Sequence, residues 1–179
     1  MHTGFSPFPE LKTPRLLLRR LSESDDREIL FLRSDPGINK FISRQRTKSR
    51  EEARDFILRI NKDISEERSF YWVITILGSP KLIGVICLWN FDENRRVAEL
   101  GYELMPAFQK QGIMHEAVSS VLDYAFLQIS LDRIEAFTHK KNKNSIRLLK
   151  KSGFSPVPER TDADNSSNII FSLGRNEFK

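Results

Sequence analysis

Residues 96–154 constrain what this chain can fold into more than any other stretch. A strand-like segment ends at Leu104-Met105-Pro106, and the turn Gln109-Lys110-Gln111-Gly112-Ile113-Met114 opens directly into an amphipathic segment. Pro106 cannot donate to a sheet ladder, so it helps to end the strand. Met114, Val118, Val121, Leu122, Ala125 and Ile129 recur at three- and four-residue spacing, with Glu116, Ser119 and Asp123 between them, which predicts one long, unbroken helix. A strand at 133–139, a polar Asn142-Lys143-Asn144-Ser145 segment and a short basic helix at 145–152 follow, closing at Gly153-Phe154. Where a strand turns straight into a helix, unpaired backbone N–H groups converge at the helix mouth and the helix dipole adds positive potential. The turn is therefore a candidate phosphate site. Gly112 has no Cβ and lets an anion approach the backbone, while Lys110 supplies a mobile cation beside it. An ordinary strand–turn–helix joint accounts for the same residues without a ligand, and Gln-x-x-Gly alone does not separate the two.

The rest of the chain alternates strand and helix patterns. Residues 15–20 read as a strand, Ser24 begins a helix that Pro36-Gly37 ends, and Ser49 is placed to cap a second helix with the stripe Ala53, Phe56, Ile57 and Ile60. Residues 71–77 and 82–91 form a hairpin across Gly78-Ser79-Pro80. Residues 96–104 and 168–173 are further strands. In the first of these, Ala98, Leu100, Tyr102 and Leu104 make an apolar core face, and Glu99 and Glu103 share the other. This order predicts an α/β (α+β) domain, a mixed sheet with helices on both faces.

At 179 residues the chain fits one domain, expected over 13–174 between an extended arm, 1–12, and a tail, 175–179. It has no apolar run of about 18 residues to span a membrane, and its first residues lack the apolar centre of a signal peptide. A cytoplasmic protein is expected. Cys87 is alone and reads as a small buried residue, and three histidines without paired spacing predict no metal. Net charge is +5, with Lys140, Lys141, Lys143, Arg147, Lys150 and Lys151 clustered. That cluster suits a solvated helix face. A nucleic-acid partner is not expected, because no groove-reading motif or stacking aromatics accompany it.

Taken together, the motifs resemble those of the GNAT superfamily of acetyl-CoA-dependent N-acyltransferases. Gln109, Gly112 and Met114 occupy that family's pyrophosphate signature, Met114 where a small residue is usual. The branch typified by ribosomal-protein-alanine N-acetyltransferases is the most similar. It shares the opening Thr13, Arg15, Leu16, Leu18 and Arg19, the strand at 98–104, and Asn142, Ser145, Leu149, Lys151, Gly153 and Phe154. The resemblance implies a mostly antiparallel sheet with a splayed central strand pair, and acetyl-CoA as co-substrate. It implies a pantetheine arm lying in the splayed gap, against backbone groups of Leu104 and Met105 and the side chain of Asn142. The turn 109–114 would hold the pyrophosphate.

Acyl transfer from a thioester to an amine needs a neutral amine, a donor for the developing oxyanion and a thiolate that can leave. The N–H of Leu104 or Met105 is the expected oxyanion donor. Glu99 and Glu103 are the candidate bases, with ordinary exposed glutamates as the alternative for each. Ser145 is the candidate acid for the leaving thiolate and also reads as the N-cap of its helix, the two roles being compatible. Relatives often use a tyrosine as the acid, and none of Tyr71, Tyr102 and Tyr124 follows the second strand where that residue is expected. The acceptor is expected to be a peptide or protein α-amine, which deprotonates more easily than a lysine. A small-molecule amine, and a non-catalytic acetyl-CoA sensor, stand as alternatives. Polyamines fit a net basic chain less well. A monomer or homodimer is expected.

Overall fold

The structure is a computed structural model and describes residues 7–179. Its strands and helices run β1 (Leu11–Lys12), β2 (Leu16–Arg20), α1 (Asp26–Ser34), α2 (Arg50–Ser65), β3 (Phe70–Ile76), β4 (Leu82–Trp89) and β5 (Val97–Leu104). They continue with α3 (Ile113–Asp123), β6 (Arg133–His139), α4 (Lys143–Lys151), β7 (Ser155–Pro156) and β8 (Asn168–Gly174). All eight strands join one sheet in the order β1-β2-β3-β4-β5-β6-β8-β7. Every neighbouring pair is antiparallel except β5 and β6.

The alternation of side chains along each strand divides the interior into two cores. Phe70, Trp72 and Ile74 of β3 pack with Leu100 of β5 and Val118 and Val121 of α3. Tyr71 and Val73 face the opposite way, onto Ile29 and Leu32 of α1 and Ala53 and Ile57 of α2. A central strand buried on both faces reads as a continuous apolar run, as β3 does. Ser49 Oγ accepts from the Glu52 amide at 3.1 Å and caps α2, a contact typically worth about 1 kcal/mol. The buried Asp26 carboxylate ties α1 to α2 by accepting from Arg50 at 2.8 Å and Arg54 at 2.6 Å.

Two irregularities shape the centre of the sheet. Between β3 and β4 the register shifts from Ile74 opposite Gly84 to Thr75 opposite Leu82, leaving Ile83 as an extra residue. A Cβ on Gly84 would stand 2.6 Å from the Glu103 carbonyl oxygen, so only glycine lets the end of β5 lie this close. Beyond this, β5 and β6 are in register only through Val97, Ala98 and Glu99, opposite Arg133, Ile134 and Glu135. Beyond Glu99 the ladder stops, whereas β6 remains paired with β8 as far as His139. The sheet therefore opens between β5 and β6 on the side toward α3 and α4.

Three details differ from the sequence reading. The segment expected as an extended arm is paired into the sheet at β1, and Trp72 Nε1 donates to the Pro9 carbonyl at 2.7 Å. The long helix is not one unbroken α-helix, because its last turn widens into a π turn over Tyr124–Gln128. The short basic helix starts at Lys143, two residues before Ser145.

Candidate active site

A groove of about 980 Å³ passes through the opening between β5 and β6. One end is floored by Lys110, Gly112 and the start of α3, and the other opens between Phe41, Trp89 and Asp164. It cuts through the sheet, so it reaches residues on both faces of β5.

The α3 end is shaped by backbone. Gly112 is the N-cap of α3 with φ 75°, and Lys110 also lies in the left-handed region, with φ 62°. For lysine this conformation costs on the order of 1 kcal/mol, the kind of local strain that turns at binding sites hold. Among the described residues no side chain caps α3, although Ser49 caps α2 and Asn142 caps α4. The first intrahelical bond runs from the Glu116 amide to the Gly112 carbonyl at 3.0 Å. The amides of Ile113, Met114 and His115 thus stand at the uncapped helix mouth. The Ile113 and Met114 side chains are buried. Met114 therefore points into the core and leaves the mouth clear, despite its size. Gln109 Nε2 donates to the Leu104 carbonyl at 2.9 Å and staples the turn to the end of β5, and Gln111 Nε2 donates to the Ala107 carbonyl at 2.8 Å and closes the turn on the segment after the strand.

The pairing of β4 with β5 decides which N–H groups face the gap. The Met105 amide donates to the bulge carbonyl of Ile83 at 2.9 Å. Leu104 opposite Gly84 is then a non-hydrogen-bonded pair, and its N–H points away from β4, toward the opening. Of the two amides expected as oxyanion donors, Met105 is excluded because its N–H is already committed. Leu104 remains, with its carbonyl taken by Gln109 and its N–H facing the groove.

Three carboxylates lie on the α1/α2 side of β5 and β6, and their surroundings differ. Glu103 is held by Arg44 in a two-pronged ion pair at 2.5 and 2.9 Å. Glu135 is held likewise by Arg160 at 2.5 and 3.1 Å. Glu99 accepts a long hydrogen bond from Asn90 Nδ2 at 3.4 Å. Burial pushes the Glu99 carboxyl up to about 7, against the Asn90 bond, and the charges of Asp162, Glu135 and Asp164 add to the rise. A carboxyl poised there accepts a proton at neutral pH far better than one at its ordinary value. The family resemblance already favours Glu99 over Glu103 as the base, and the structure adds a reason: Glu103 is engaged by Arg44, whereas burial raises Glu99.

On the other face, Ser145 Oγ and Tyr102 Oη are 2.7 Å apart, and both line the groove. Burial pushes the Tyr102 hydroxyl up to about 12, although the bond with Ser145 pulls it down. Ser145 is not the helix cap. Asn142 Oδ1 accepts from the Ser145 amide at 3.2 Å and takes that role, which leaves the Ser145 hydroxyl to meet Tyr102. Tyr102 is a groove residue that sequence reasoning assigned to the core, because it alternates with Leu100 and Leu104. The signal was present in its hydroxyl, which needs a partner when buried. Trp89 is 46% exposed at the groove mouth.

An open-ended groove through a splayed sheet, with an uncapped helix mouth at one end and a tuned carboxyl at the other, belongs to an acyl-transfer fold. The chain is a member of the GNAT acetyltransferase family: residues 15–155 match its acetyltransferase (GNAT) domain. It is 33% identical over 147 residues to the uncharacterized N-acetyltransferase YoaA of Bacillus subtilis, covering 82% of this chain and 83% of the relative. Its fold matches the ribosomal-protein-S5-alanine acetyltransferase of Vibrio fischeri with a TM-score of 0.78 at 21% identity, over 96% of this chain and 99% of that one. It also matches the ribosomal L7/L12 α-N-protein acetyltransferase RimL, solved in complex with coenzyme A, with a TM-score of 0.80 at 16% identity. That match covers 93% of this chain and 98% of the other. The protein is an N-acetyltransferase.

Proposed function

We propose that this enzyme transfers acetyl from acetyl-CoA to the α-amine of a peptide or protein, with the reaction centred in the gap between β5 and β6. The observation that carries the reading is the pairing of groups across β5. Glu99 is held near neutrality on one face, and the Tyr102–Ser145 pair lies on the other. The uncapped mouth of α3 takes the pyrophosphate, and the pantetheine arm lies along the open edge of β5. The neutral amine reaches the thioester from the α1/α2 side and, as its nitrogen bonds to the acetyl carbon, passes a proton to Glu99, directly or through water. As the amine nitrogen bonds to the acetyl carbon, the Leu104 N–H donates to the carbonyl oxygen on which charge develops. The C–S bond then breaks and the electron pair leaves with sulfur. Tyr102, pushed to about 12, stays protonated across the working pH range. Its hydroxyl therefore keeps the Ser145 pair supplied with a donor for the departing thiolate.

The acceptor assignment rests on proton affinity and local charge. An α-amine has a pKa of about 7.7–8.0, well below the roughly 10.4 of lysine, so a base near 7 is matched to it. Asp162 and Asp164 line the mouth beside Glu99, which suits an incoming ammonium although the whole chain is net basic. Ribosomal-protein acetyltransferases among the structures of the same fold support a protein acceptor. The acidic mouth also suits a small cationic amine, which is the competing reading. Mass spectrometry decides, after incubation with acetyl-CoA and equal amounts of three acceptors. These are an Ala- or Ser-starting peptide, the same peptide with a blocked N-terminus and a free lysine, and spermidine. Label on the free α-amine is expected. Label chiefly on spermidine or the lysine overturns the acceptor while leaving acetyl transfer intact.

A further inference from the structure

The opening Thr13-x-Arg15 has no part in the chemistry above, yet the structure joins it to the turn at 109–114. Thr13 Oγ1 donates to Glu116 Oε1 at 2.6 Å, and the Arg15 amide donates to the same oxygen at 3.0 Å. Arg15 Nε donates to Glu116 Oε2 at 2.6 Å. Both carboxylate oxygens are thereby engaged, from a segment about a hundred residues away in the chain. The same guanidinium reaches further, with Nη1 donating to the Gln111 carbonyl at 3.0 Å. A Cβ on Gly112 would sit 3.5 Å from Arg15 Nη2, so the arginine lies alongside the glycine of the turn. Burial raises the Glu116 carboxyl, but the bonds from Thr13 and Arg15 outweigh it and hold the group below its ordinary value. It is therefore charged at any working pH.

We infer that Thr13, Arg15 and Glu116 form a brace that presets the pyrophosphate turn, making Arg15 a positioning residue for coenzyme A. The inference rests on the reading of that turn as the pyrophosphate site. Its physical basis is preorganisation. The turn carries two residues in the left-handed region, Lys110 and Gly112, in succession with only Gln111 between them. Such a turn has little intrinsic reason to hold its amides in one direction. Gln109 staples its near side to β5, and Gln111 ties it to Ala107. Arg15 fixes the Gln111 carbonyl from the far side while Glu116 anchors Arg15 to the first turn of α3. Ordering the turn before the ligand arrives removes an entropic cost from binding. A planar fork that serves a carboxylate and a carbonyl at once is a task for arginine and not for lysine.

The test compares a ligand that carries the pyrophosphate with one that does not, in Arg15→Met, Thr13→Val and Glu116→Gln. Coenzyme A affinity is read by calorimetry and pantetheine affinity by NMR titration, on proteins whose folding is checked by thermal unfolding. Amide hydrogen exchange of residues 109–116 is followed in the free protein. Arg15→Met is expected to weaken coenzyme A binding about tenfold, with pantetheine affinity held within about twofold and faster exchange confined to the turn. Thr13→Val, which removes one of the bonds to Glu116 together with the hydroxyl's local bonds to Leu16, is expected to shift affinity in the same direction by a smaller factor. Glu116→Gln separates a brace from a mere local charge. Freeing Arg15 from its partner strengthens coenzyme A binding if the arginine acts only as a cation, and weakens it if the arginine acts by position. Weaker binding supports the brace; tighter binding overturns it. Equal losses for both ligands mean that Arg15 only holds the fold, and also overturn it. A wild-type protein that binds pantetheine as tightly as coenzyme A removes the phosphate site itself, a failure recognisable before any variant is made.

Discussion

The α3 end of the groove is floored by one continuous stretch, residues 104–116, secured by Thr13 and Arg15, while β6 and α4 also line the groove. The acceptor half draws its walls from residues 37–43, 89–90, 99–103 and 162–168, four segments that meet only in the folded protein. The polar groups of the first half are mainly main-chain amides at a helix mouth, with Lys110 beside them. Those of the second are side chains, each with its own neighbours. Main-chain amides suit a ligand part that does not vary, such as a pyrophosphate. Side chains on separate segments can be exchanged one at a time, which lets one fold accept many amines.

If that division holds, the largest effect belongs to Gly112→Glu. A side chain at φ 75° is strained, and a carboxylate there opposes the phosphates directly. Coenzyme A affinity measured by calorimetry is expected to fall by about 100-fold or more, while the fold persists with a modest loss of thermal stability. Unchanged affinity in a folded variant would break the comparison at its first term. Next come Tyr102→Phe and Ser145→Ala, each expected to lower kcat by about tenfold. The double variant should lose little more than either single one, because the two hydroxyls act as one unit. Fully multiplicative losses would show two independent roles.

Arg44→Met probes the acceptor wall. Arg44 Nε donates to Asn39 Oδ1 at 2.8 Å while its other nitrogens hold Glu103, so it ties the 37–43 segment to β5. Its loss is expected to raise the acceptor KM by several-fold, up to about tenfold, with coenzyme A affinity unchanged. A parallel loss of coenzyme A affinity would mean that the two halves are not separable.

The same division marks what was legible in the sequence. The strand–turn–helix of residues 96–123 could be read because its signals are local: Pro106, Gly112 and the apolar stripe of α3. Glu99 and Glu103 were placed on one face by alternation alone. What separates them is Arg44, 59 residues from Glu103 in sequence, and no local pattern announces that contact. Tyr102 was misread for the opposite reason. Alternation put it on the core face correctly, but that face opens into the groove where β6 has left β5. The loss of Met105 as a donor depends on the register of β4 against β5, which places its amide opposite the Ile83 carbonyl, and no local pattern fixes that register. Asn142 and Ser145 both favour helix N-caps, so their spacing could not say which residue caps and which is left free. The two-residue strands β1 and β7 are too short to show a period. The whole-chain charge of +5 hid a mouth lined by Asp162, Asp164 and Glu99.

The smallest expected effect is on stability. An unfolded glutamate titrates near about 4.3, whereas Glu99 in the folded protein is raised to about 7. Between these values the folded state binds more protons, so this group lowers stability as pH rises through the window, and its full penalty applies above about 7. Glu99→Gln is therefore expected to melt a few degrees higher than the wild type near pH 8.5, with the gain vanishing below about pH 4.5. A variant that is equally or less stable at high pH would show that Glu99 carries no desolvation penalty.

The role of Glu99 as base is tested most directly by the pH dependence of kcat/KM for an α-amine peptide. Two groups must lose a proton on the acid side: Glu99, at about 7, and the amine, at about 7.7–8.0. The wild-type logarithmic profile is expected to approach a slope of 2 below pH 7, and Glu99→Gln a slope of 1, set by the amine alone and displaced to lower rates. Profiles of equal slope in the two proteins would contradict the assignment and leave deprotonation to solvent.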